Sequence, residues 1–151
     1  MKKLYHIVSA LVPVADAFAG TVYTDIINMQ DFGNISFILQ GGAGAVGTST
    51  ITVEACDDVA ASHVSAVPFV YQECISGDTF GARTKASSFA TAAAANKIYK
   101  IDVDAEALAA SGYGYIRLKA VEVVNDPVTG GVLAILTEPK YAEDIFDTAI
   151  V

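Results

Sequence analysis

The stretch that most constrains this chain is 112–141, GYGYIRLKAVEVVNDPVTGGVLAILTEPKY. Two segments within it, 113–124 and 132–137, are rich in the β-branched and aromatic residues that favour β-strands. Between them lies NDPVTGG, in which Asn-Asp-Pro opens a turn and Gly-Gly closes it. The stretch therefore predicts one long β-hairpin.

An earlier part of the chain repeats this plan. Strand-forming residues at 35–40 and 48–55 flank a glycine-rich segment, which predicts a second hairpin with a mobile tip at 41–47. Residues 42–47 also match the G-x-G-x-x-G pattern of dinucleotide-binding loops. Such a site needs a helix next, so that the pyrophosphate meets a helix N-terminus. Strand formers follow instead, so no cofactor is expected here.

Three further segments, 21–29, 68–75 and 97–103, have the composition or the alternation of strands. Turn signals recur at fairly regular spacing, and no long segment of helical period intervenes. The chain is therefore predicted to be all-β, an antiparallel β-sandwich or jelly-roll-like fold with at most one short helix. Its length suits a single domain spanning 1–151.

Alternation also predicts which side chains face inward. On the inward faces we expect Ile35, Phe37, Leu39, Ile51, Val53, Ala55, Tyr99, Ile101 and Val103. In the long hairpin we expect Ile116, Leu118 and Ile135 to be buried and Arg117 and Lys119 to be exposed. After Ala120 the apolar residues shift phase to Val121 and Val123, which predicts a bulge near Ala120–Val121.

The one helix expected is short. Residues 104–111 indicate one or two helical turns, with Asp104 capping the free N–H groups and Gly112 left-handed at the end. The segment before the preceding strand, 80–96, is poor in large apolar residues, and Phe80 and Phe89 are its expected anchors.

The amino-acid composition limits the kinds of partner that this chain is expected to bind. Apolar residues make up 53% of the chain and charged residues only 17%, which suggests that a partner covers part of the surface. The net charge is −8 and no basic stripe is present, so direct nucleic-acid binding is not expected.

The N-terminus looks like a secretory signal, with MKK followed by an apolar run and ADAFA. His6 and Pro13 interrupt the run, however, and residues 4–14 are better interpreted as a first strand or an extended arm, with the mature chain starting at Met1 or Lys2. The segment is too short to span a membrane, and no membrane association is expected.

Two terminal segments are the expected contact elements. They are an N-terminal arm of about 1–19 and a C-terminal tail of about 142–151, which is too apolar for a solvated tail and is expected to dock on its own domain or on a neighbour. The candidate interaction residues are Leu4, Tyr5, Ile7, Val8, Ile145, Phe146 and Ile150.

The sequence shows no recognisable arrangement of catalytic or metal-binding residues. The segment 102–106 resembles the start of a calcium loop, but Ala107 and Tyr113 occupy the positions that need Gly and Glu. His6 and His63 have no ligands at suitable spacing. No serine lies in a nucleophile elbow. The chain is therefore not expected to be an enzyme, or to bind a metal or a cofactor.

The two cysteines, Cys56 and Cys74, are too few for a disulfide scaffold and do not fit a zinc pattern. Free thiols are expected, with a disulfide possible only if the two strands that carry them are neighbours.

The order of the segments TITVEACDD, AVPFVYQECISGDTFG, NKIYKIDVDAEAL and YGYIRLKAVEVVNDPVTGGVLAILTEPKY resembles the small β-sandwich virion proteins of tailed bacteriophages that decorate or cement the head. The resemblance covers about 20–141 and is structural. It implies a protein made in the host cytoplasm that sits on the outer capsid surface of the virion. Its implied partners are the major capsid protein and further copies of itself, often as a trimer. No catalytic residue carries over.

Two other functions stay open at this stage. A tail-tube or head–tail connector subunit is also a β structure that assembles, and the sequence does not separate it from a decoration protein. A secreted carbohydrate-binding sandwich is a third candidate, although the chain has no Trp to serve as an aromatic platform and its Tyr residues are scattered.

Overall fold

A computed structural model of the protein describes residues 4–141 and 145–151. These residues form thirteen strands and one short helix. In chain order the elements are β1 Tyr5–Val14, β2 Thr21–Tyr23, β3 Ile27–Asn28, β4 Phe32–Gly41, β5 Thr48–Cys56, β6 Val64–Ala66, β7 Phe69–Ser76, β8 Thr79–Phe80, β9 Thr84–Ala86, β10 Phe89–Ala90, β11 Ile98–Asp104, α1 Ala105–Ala109, β12 Tyr115–Val124 and β13 Gly130–Pro139.

The strands form two antiparallel sheets. The first has the order β1-β13-β4-β11-β7-β8, with β9 also paired to β7. The second has the order β10-β5-β12-β2, with β3 also on β12 and β6 also on β5. The predicted class, an all-β antiparallel sandwich with at most one short helix, is confirmed.

Both predicted hairpins are wrong. β12 belongs to the second sheet and β13 to the first, while β4 belongs to the first and β5 to the second. The segments 42–47 and 125–129 are therefore connections between sheets. Alternation identifies an inward face but does not say which sheet a strand joins. Each of these strands instead pairs with one distant in sequence, β4 with β13 and β5 with β12.

The two connections pack against each other. The Gly42 N–H donates to the Thr129 carbonyl at 2.6 Å, and the Thr129 N–H donates to the Ala43 carbonyl at 2.9 Å. A Cβ on Gly47 would overlap the Asp126 carbonyl oxygen, and one on Gly44, where φ is +112°, would overlap that of Pro127. The glycines of the G-x-G-x-x-G pattern thus permit close backbone approach, and 41–47 is a packed crossing rather than a hairpin tip.

The core lies between the sheets, and most of the predicted inward residues are confirmed there. All of Ile35, Phe37, Leu39, Ile51, Val53, Ala55, Tyr99, Ile101, Val103, Ile116, Leu118 and Ala120 are buried. The prediction that Ile135 is buried in the core is wrong. β13 turns Val132, Ala134 and Leu136 inward and leaves Ile135 half-buried on the outward face. The strand is apolar on both faces, so its sequence did not show which face meets the core.

The bulge predicted near Ala120–Val121 is found further along β12. β12 pairs with β5 in unbroken register from Tyr115 to Glu122, and the irregularity falls between Glu122 and Val124. Ala120 therefore keeps its inward phase, and Val123 is exposed instead of restarting the inward face. Val121 therefore points to the outward face of β12, together with Arg117 and Lys119.

Residues 21–29 form two short strands rather than one. Between them Thr24 is buried and exchanges hydrogen bonds with Leu118, donating its N–H to the carbonyl and accepting the N–H on Oγ1, both at 3.0 Å. Of the two anchors predicted for 80–96, Phe89 is buried and Phe80 is exposed, because β8 lies at the edge of the first sheet.

The short helix starts as predicted but ends earlier, at Ala109, with Ala110 as its C-cap. The Asp104 side chain accepts the Ala107 N–H at 2.8 Å, and Gly112 has φ +77° just beyond the helix.

Candidate interaction surface

The N-terminal segment is a strand rather than an extended arm. β1 pairs with β13, placing Ile7 opposite Ile135 and Ser9 opposite Leu133, and it forms one edge of the first sheet. Beyond β1, Ala17 and Phe18 are buried. The described part of 1–19 therefore belongs to the sandwich, because its inward residues contribute to the core; residues 1–3 lie outside the described residues.

The free edge of β1 is interrupted at its centre. The pairing with β13 shifts register between Ser9 and Leu11. At that point the Ala10 carbonyl accepts the Asp25 N–H at 2.8 Å. An irregularity with a filled acceptor blunts an edge strand against pairing with another chain.

The seven candidate residues fall into different environments. Leu4 at 70%, Tyr5 at 57%, Ile7 at 55% and Ile145 at 78% are exposed. Val8 is in the core and offers no surface, because alternation along β1 turns it inward. Phe146 and Ile150 are half-buried and pack against the core.

Tyr5 and Ile7 belong to a larger surface, which we call the β1 face. It consists of the outward side chains of β1, β13 and β4, namely Tyr5, Ile7, Ser9, Pro13, Leu133, Ile135, Thr137, Asn34, Ser36, Ile38 and Gln40. None of these side chains is an acid or a base, and all lie in the described part of the chain. Charges border the face: Glu138 is exposed at the end of β13, and on β11 Lys100 and Asp102 pair at 3.1 Å, with Asp102 accepting the Ser36 hydroxyl at 2.6 Å.

A groove of about 310 Å³ opens in the β1 face beside the end of β1, lined mainly by apolar groups of Leu11, Pro13, Ile38 and Leu133. Gly130 and Gly131 also line it, and they bring the strands close together. A Cβ on Gly131 would lie 2.9 Å from the Leu11 carbonyl oxygen and 3.1 Å from Pro13 Cα. The Gly-Gly pair that suggested a turn thus allows β1 to cross β13 closely and leaves the groove unfilled.

The C-terminal tail docks on its own domain. The Ala149 carbonyl accepts the Asn28 N–H at 2.8 Å, and Ile150 bridges to Ile27. The Phe146 ring packs edge-on against Phe32 at 5.2 Å and against His6 at 5.8 Å. This confirms that the described part of the tail, 145–151, is not solvated; residues 142–144 lie outside the described residues.

Three exposed apolar residues are close in the chain to the elements that carry this aromatic cluster. They are Leu4, Tyr141 and Ile145, which we call the terminal patch. Leu4 precedes β1, Tyr141 follows β13 and Ile145 precedes Phe146, so the pairing of β1 with β13 brings all three to one end of the sandwich.

The outer face of the second sheet is different, because its charges are paired. Arg117 donates to one Glu54 carboxylate oxygen from Nε at 2.9 Å and from Nη2 at 2.7 Å. Lys119 Nζ lies 3.4 Å from the other oxygen. The Arg117 guanidinium also stacks 4.0 Å above the Tyr23 ring centroid. Arg117 and Lys119 point outward as predicted, but the expectation that they are exposed is wrong, because this network leaves only 16% of the Arg117 side chain and 29% of the Lys119 side chain exposed.

The loop between β5 and β6 holds an ion pair of Asp57 Oδ2 and His63 Nδ1 at 2.6 Å. The hydrogen bond to the Asp57 carboxylate raises the pKa of His63, and the hydrogen bond that the His63 backbone N–H donates lowers the pKa of Asp57. Asp58 accepts bonds from Ser62 and Ala60, which also lower its pKa. These acids therefore organise the loop. Among the described residues no group of potential ligands could hold a metal ion.

Both cysteines are free thiols. Cys56 is buried in the second sheet, and burial raises the pKa of its thiol. Cys74 is partly exposed in the first sheet, 3.1 Å from the Gly77 carbonyl. Since they lie in different sheets, their strands are not neighbours. In the described part of the chain, no helix is long and apolar enough to cross a membrane.

Sequence reasoning missed the outward side of β13 and of β4. Leu133 and Ile38 line the groove, and neither was a candidate. A signal was available in 132–136, VLAIL, which is apolar at every position. An antiparallel strand with one solvated face alternates, so a continuous apolar run indicates that both faces are covered.

No protein-family model matches the sequence, and no curated protein does either. A solved structure, that of the SPBc2 prophage-derived protein YomS, is similar in fold, with a TM-score of 0.55. The likeness covers 91% of this chain and 96% of that chain at 13% sequence identity. At this identity the likeness establishes a shared β-sandwich fold, which does not by itself specify a function.

Proposed function

We propose that this chain is a structural virion protein that binds the outer surface of a bacteriophage capsid and stabilises the shell, with the major capsid protein as its partner. The observation that carries the proposal is the terminal patch, a group of exposed apolar side chains on a sandwich that resembles a prophage-derived protein over nearly its whole length. Contiguous exposed apolar patches on soluble proteins mark interaction sites, and this is the role that we assign to the terminal patch.

The terminal patch suits weak, repeated binding. Leu4 and Ile145 are the most exposed large apolar side chains in the described chain. Burying each contributes roughly 1.5–3 kcal/mol before the cost of immobilising the partner is subtracted. A single contact of this size is weak. On a lattice with many identical sites, a protein that binds only the assembled shell stabilises it by mass action, by about 2.7 kcal/mol per site at a hundredfold excess over Kd.

The charge of the chain fits the outside of a shell. A net charge of −8 disfavours contact with packaged DNA, whose phosphates repel acidic surfaces. In the proposed life cycle the chain is made in the host cytoplasm and is then added to the capsid surface.

The proposed role is structural rather than catalytic. The charged groups of the second sheet neutralise one another, since Glu54 bonds both Arg117 and Lys119. The perturbed acids Asp57 and Asp58 bond their own loop.

The test compares purified capsids that carry or lack the protein. We expect decorated capsids to release DNA at a higher temperature, and Leu4→Asp or Ile145→Asp to reduce occupancy. Val59→Asp, also at an exposed apolar residue but in the loop between β5 and β6, is the matched control and should bind normally.

Equal release temperatures with and without the protein would contradict the cement role. Counting copies per virion in the same preparation separates a decoration protein, present in hundreds of copies on a lattice, from a tail or connector subunit.

A further inference from the structure

We propose that the β1 face is a self-association surface, on which two copies of this chain pack face to face about a two-fold axis. Charge is the first reason that a second copy is the occupant. The chain has a net charge of −8, yet the outward side chains of β1, β13 and β4 include no acid or base in this described region. Two acidic copies approach each other with least repulsion through their neutral faces.

The sequence of β13 is the second reason. Its outward residues Leu133 and Ile135 lie within an unbroken apolar run, and Leu133 is 46% exposed in the single chain. A strand solvated on one face alternates apolar and polar residues, whereas a strand covered on both faces does not. The β13 sequence is therefore that of a strand whose outward face is covered by a second layer.

The geometry of the face is self-complementary. Along β1, the exposed side chains of Tyr5 and Ile7 stand at one end, and the groove beside Leu11 and Pro13 lies at the other, with Ser9 between. A two-fold axis beside Ser9 places Tyr5 of one copy against Pro13 of the other, and the reverse. This is the isologous arrangement of symmetric dimers, in which one patch serves both subunits.

Packing through the face is favoured over pairing through the edge of β1. The register shift at Ala10 and the bond from Asp25 to its carbonyl interrupt the edge at the centre of the strand. The edge of β1 therefore cannot form an uninterrupted ten-residue hydrogen-bonded ladder with another chain, whereas the β1 face remains accessible.

The size of the face sets the strength of association. Three strands about 4.8 Å apart, each about 34 Å long, present roughly 500 Å² per copy. Standard interfaces bury about 800 Å² per partner, so the dimer should be modest in affinity and should dissociate on dilution. This inference does not depend on the capsid role, and it is tested on the free protein.

The experiment measures the mass of the purified chain by sedimentation equilibrium over a range of concentrations. We expect a dimer of twice 15.7 kDa at high concentration. Leu133→Asp should raise the dissociation constant more than about tenfold, because it buries an unpaired charge. Ile75→Asp, at an exposed residue near the other edge of the sheet, should leave it unchanged. Thermal unfolding verifies that each variant is folded.

A mixing experiment tests the two-fold arrangement itself. Tyr5→Lys and Pro13→Glu, both at exposed positions, should each weaken the dimer when alone. Mixed in equal amounts, they should form a heterodimer in which lysine meets glutamate at one contact and Tyr5 meets Pro13 at the other. A monomer at every concentration, a trimer, equal effects of Leu133→Asp and Ile75→Asp, or no heterodimer would each overturn the proposal.

Discussion

Arg117 and Glu54 lie directly opposite each other on β12 and β5, and two hydrogen bonds of 2.9 and 2.7 Å join the guanidinium to one carboxylate oxygen. Glu54 is only 9% exposed, and β6 covers it on the other side. A carboxylate this far from water depends on its partners, because an unpaired buried charge is costly.

Arg117→Ala should therefore lower the free energy of unfolding by about 2–3 kcal/mol, somewhat less than for a fully buried pair because Lys119 still faces Glu54. The matched control is Arg83→Ala, since Arg83 is 61% exposed and 3.7 Å from Asp102. Exposed pairs contribute about 0–1 kcal/mol, so the control should change stability little. Urea unfolding measures both, and equal small losses would show that Glu54 is solvated.

The core prediction concerns Leu118. Leu118→Ala should cost about 2–5 kcal/mol, because it removes buried methyl groups and leaves a cavity between the sheets. Val123→Ala, on the same strand but exposed, should cost less than about 0.5 kcal/mol. If the two costs were reversed, β12 would be in the opposite phase, since a slip of one residue exchanges its faces.

The packed connections predict a steric effect at one glycine. Gly47→Ala should destabilise the fold by about 1–3 kcal/mol or more, because its Cβ would overlap the Asp126 carbonyl oxygen. Gly114→Ala is the control, since its Cβ would meet Gln30 at an ordinary 3.6 Å. Thermal unfolding of the two variants compares them, and equal midpoints would show that 42–47 and 125–129 are not in contact.

The Asp57–His63 pair predicts a pH dependence. The raised pKa of His63 stabilises the folded loop fully below the unfolded value of about 6.5, and this contribution is lost as pH rises through the folded pKa. The lowered pKa of Asp57 adds stability above its unfolded value, about 3.9, which is lost as pH falls through the folded pKa. The pair is therefore strongest between about pH 4 and 6.5.

An NMR titration of the His63 ring measures this directly. Its midpoint should lie above the value in the unfolded chain, and Asp57→Asn should lower it, because the carboxylate that bonds Nδ1 is lost. Asp58→Asn is the control, because Asp58 is a neighbouring carboxylate that accepts a hydrogen bond from Ser62 and not from His63. This variant should shift the midpoint less. Equal shifts in the two variants would show that the general charge of the loop, and not the hydrogen bond, sets this pKa.

The inward faces of the strands could be predicted from sequence, but their partners could not. Alternation placed Phe37, Val53, Ile101 and Leu118 in the core because side chains of a strand point to opposite sides in turn. The same pattern serves either sheet, and turn signals such as NDPVTGG suit a crossing as well as a hairpin. Which sheet a strand joins depends on pairings distant in the chain, and single residues do not encode these.

The candidate surface was predictable only in part. Exposed apolar residues near the termini, such as Leu4 and Ile145, were found because a charge-poor composition indicated covered surface. The β1 face was missed because it needs three strands side by side, two of them from the middle and end of the chain. The inward turn of Val8 was missed because β1 was not known to be paired.

The pairing of β1 with β13 also has a consequence for how the protein is made. These strands are joined across most of the chain, with Tyr5 opposite Thr137, and among the strands of residues 4–141 and 145–151 β1 has no other sheet neighbour. Strands that are this far apart in the sequence pair late in folding, because the long loop between them must close, at a cost in entropy, before they make any contact. A ribosome must therefore deliver nearly all of the chain before its first strand finds a partner. Until then the apolar residues of β1 are exposed to other nascent chains, so expression at high rate should favour aggregation, and lower temperature should relieve it.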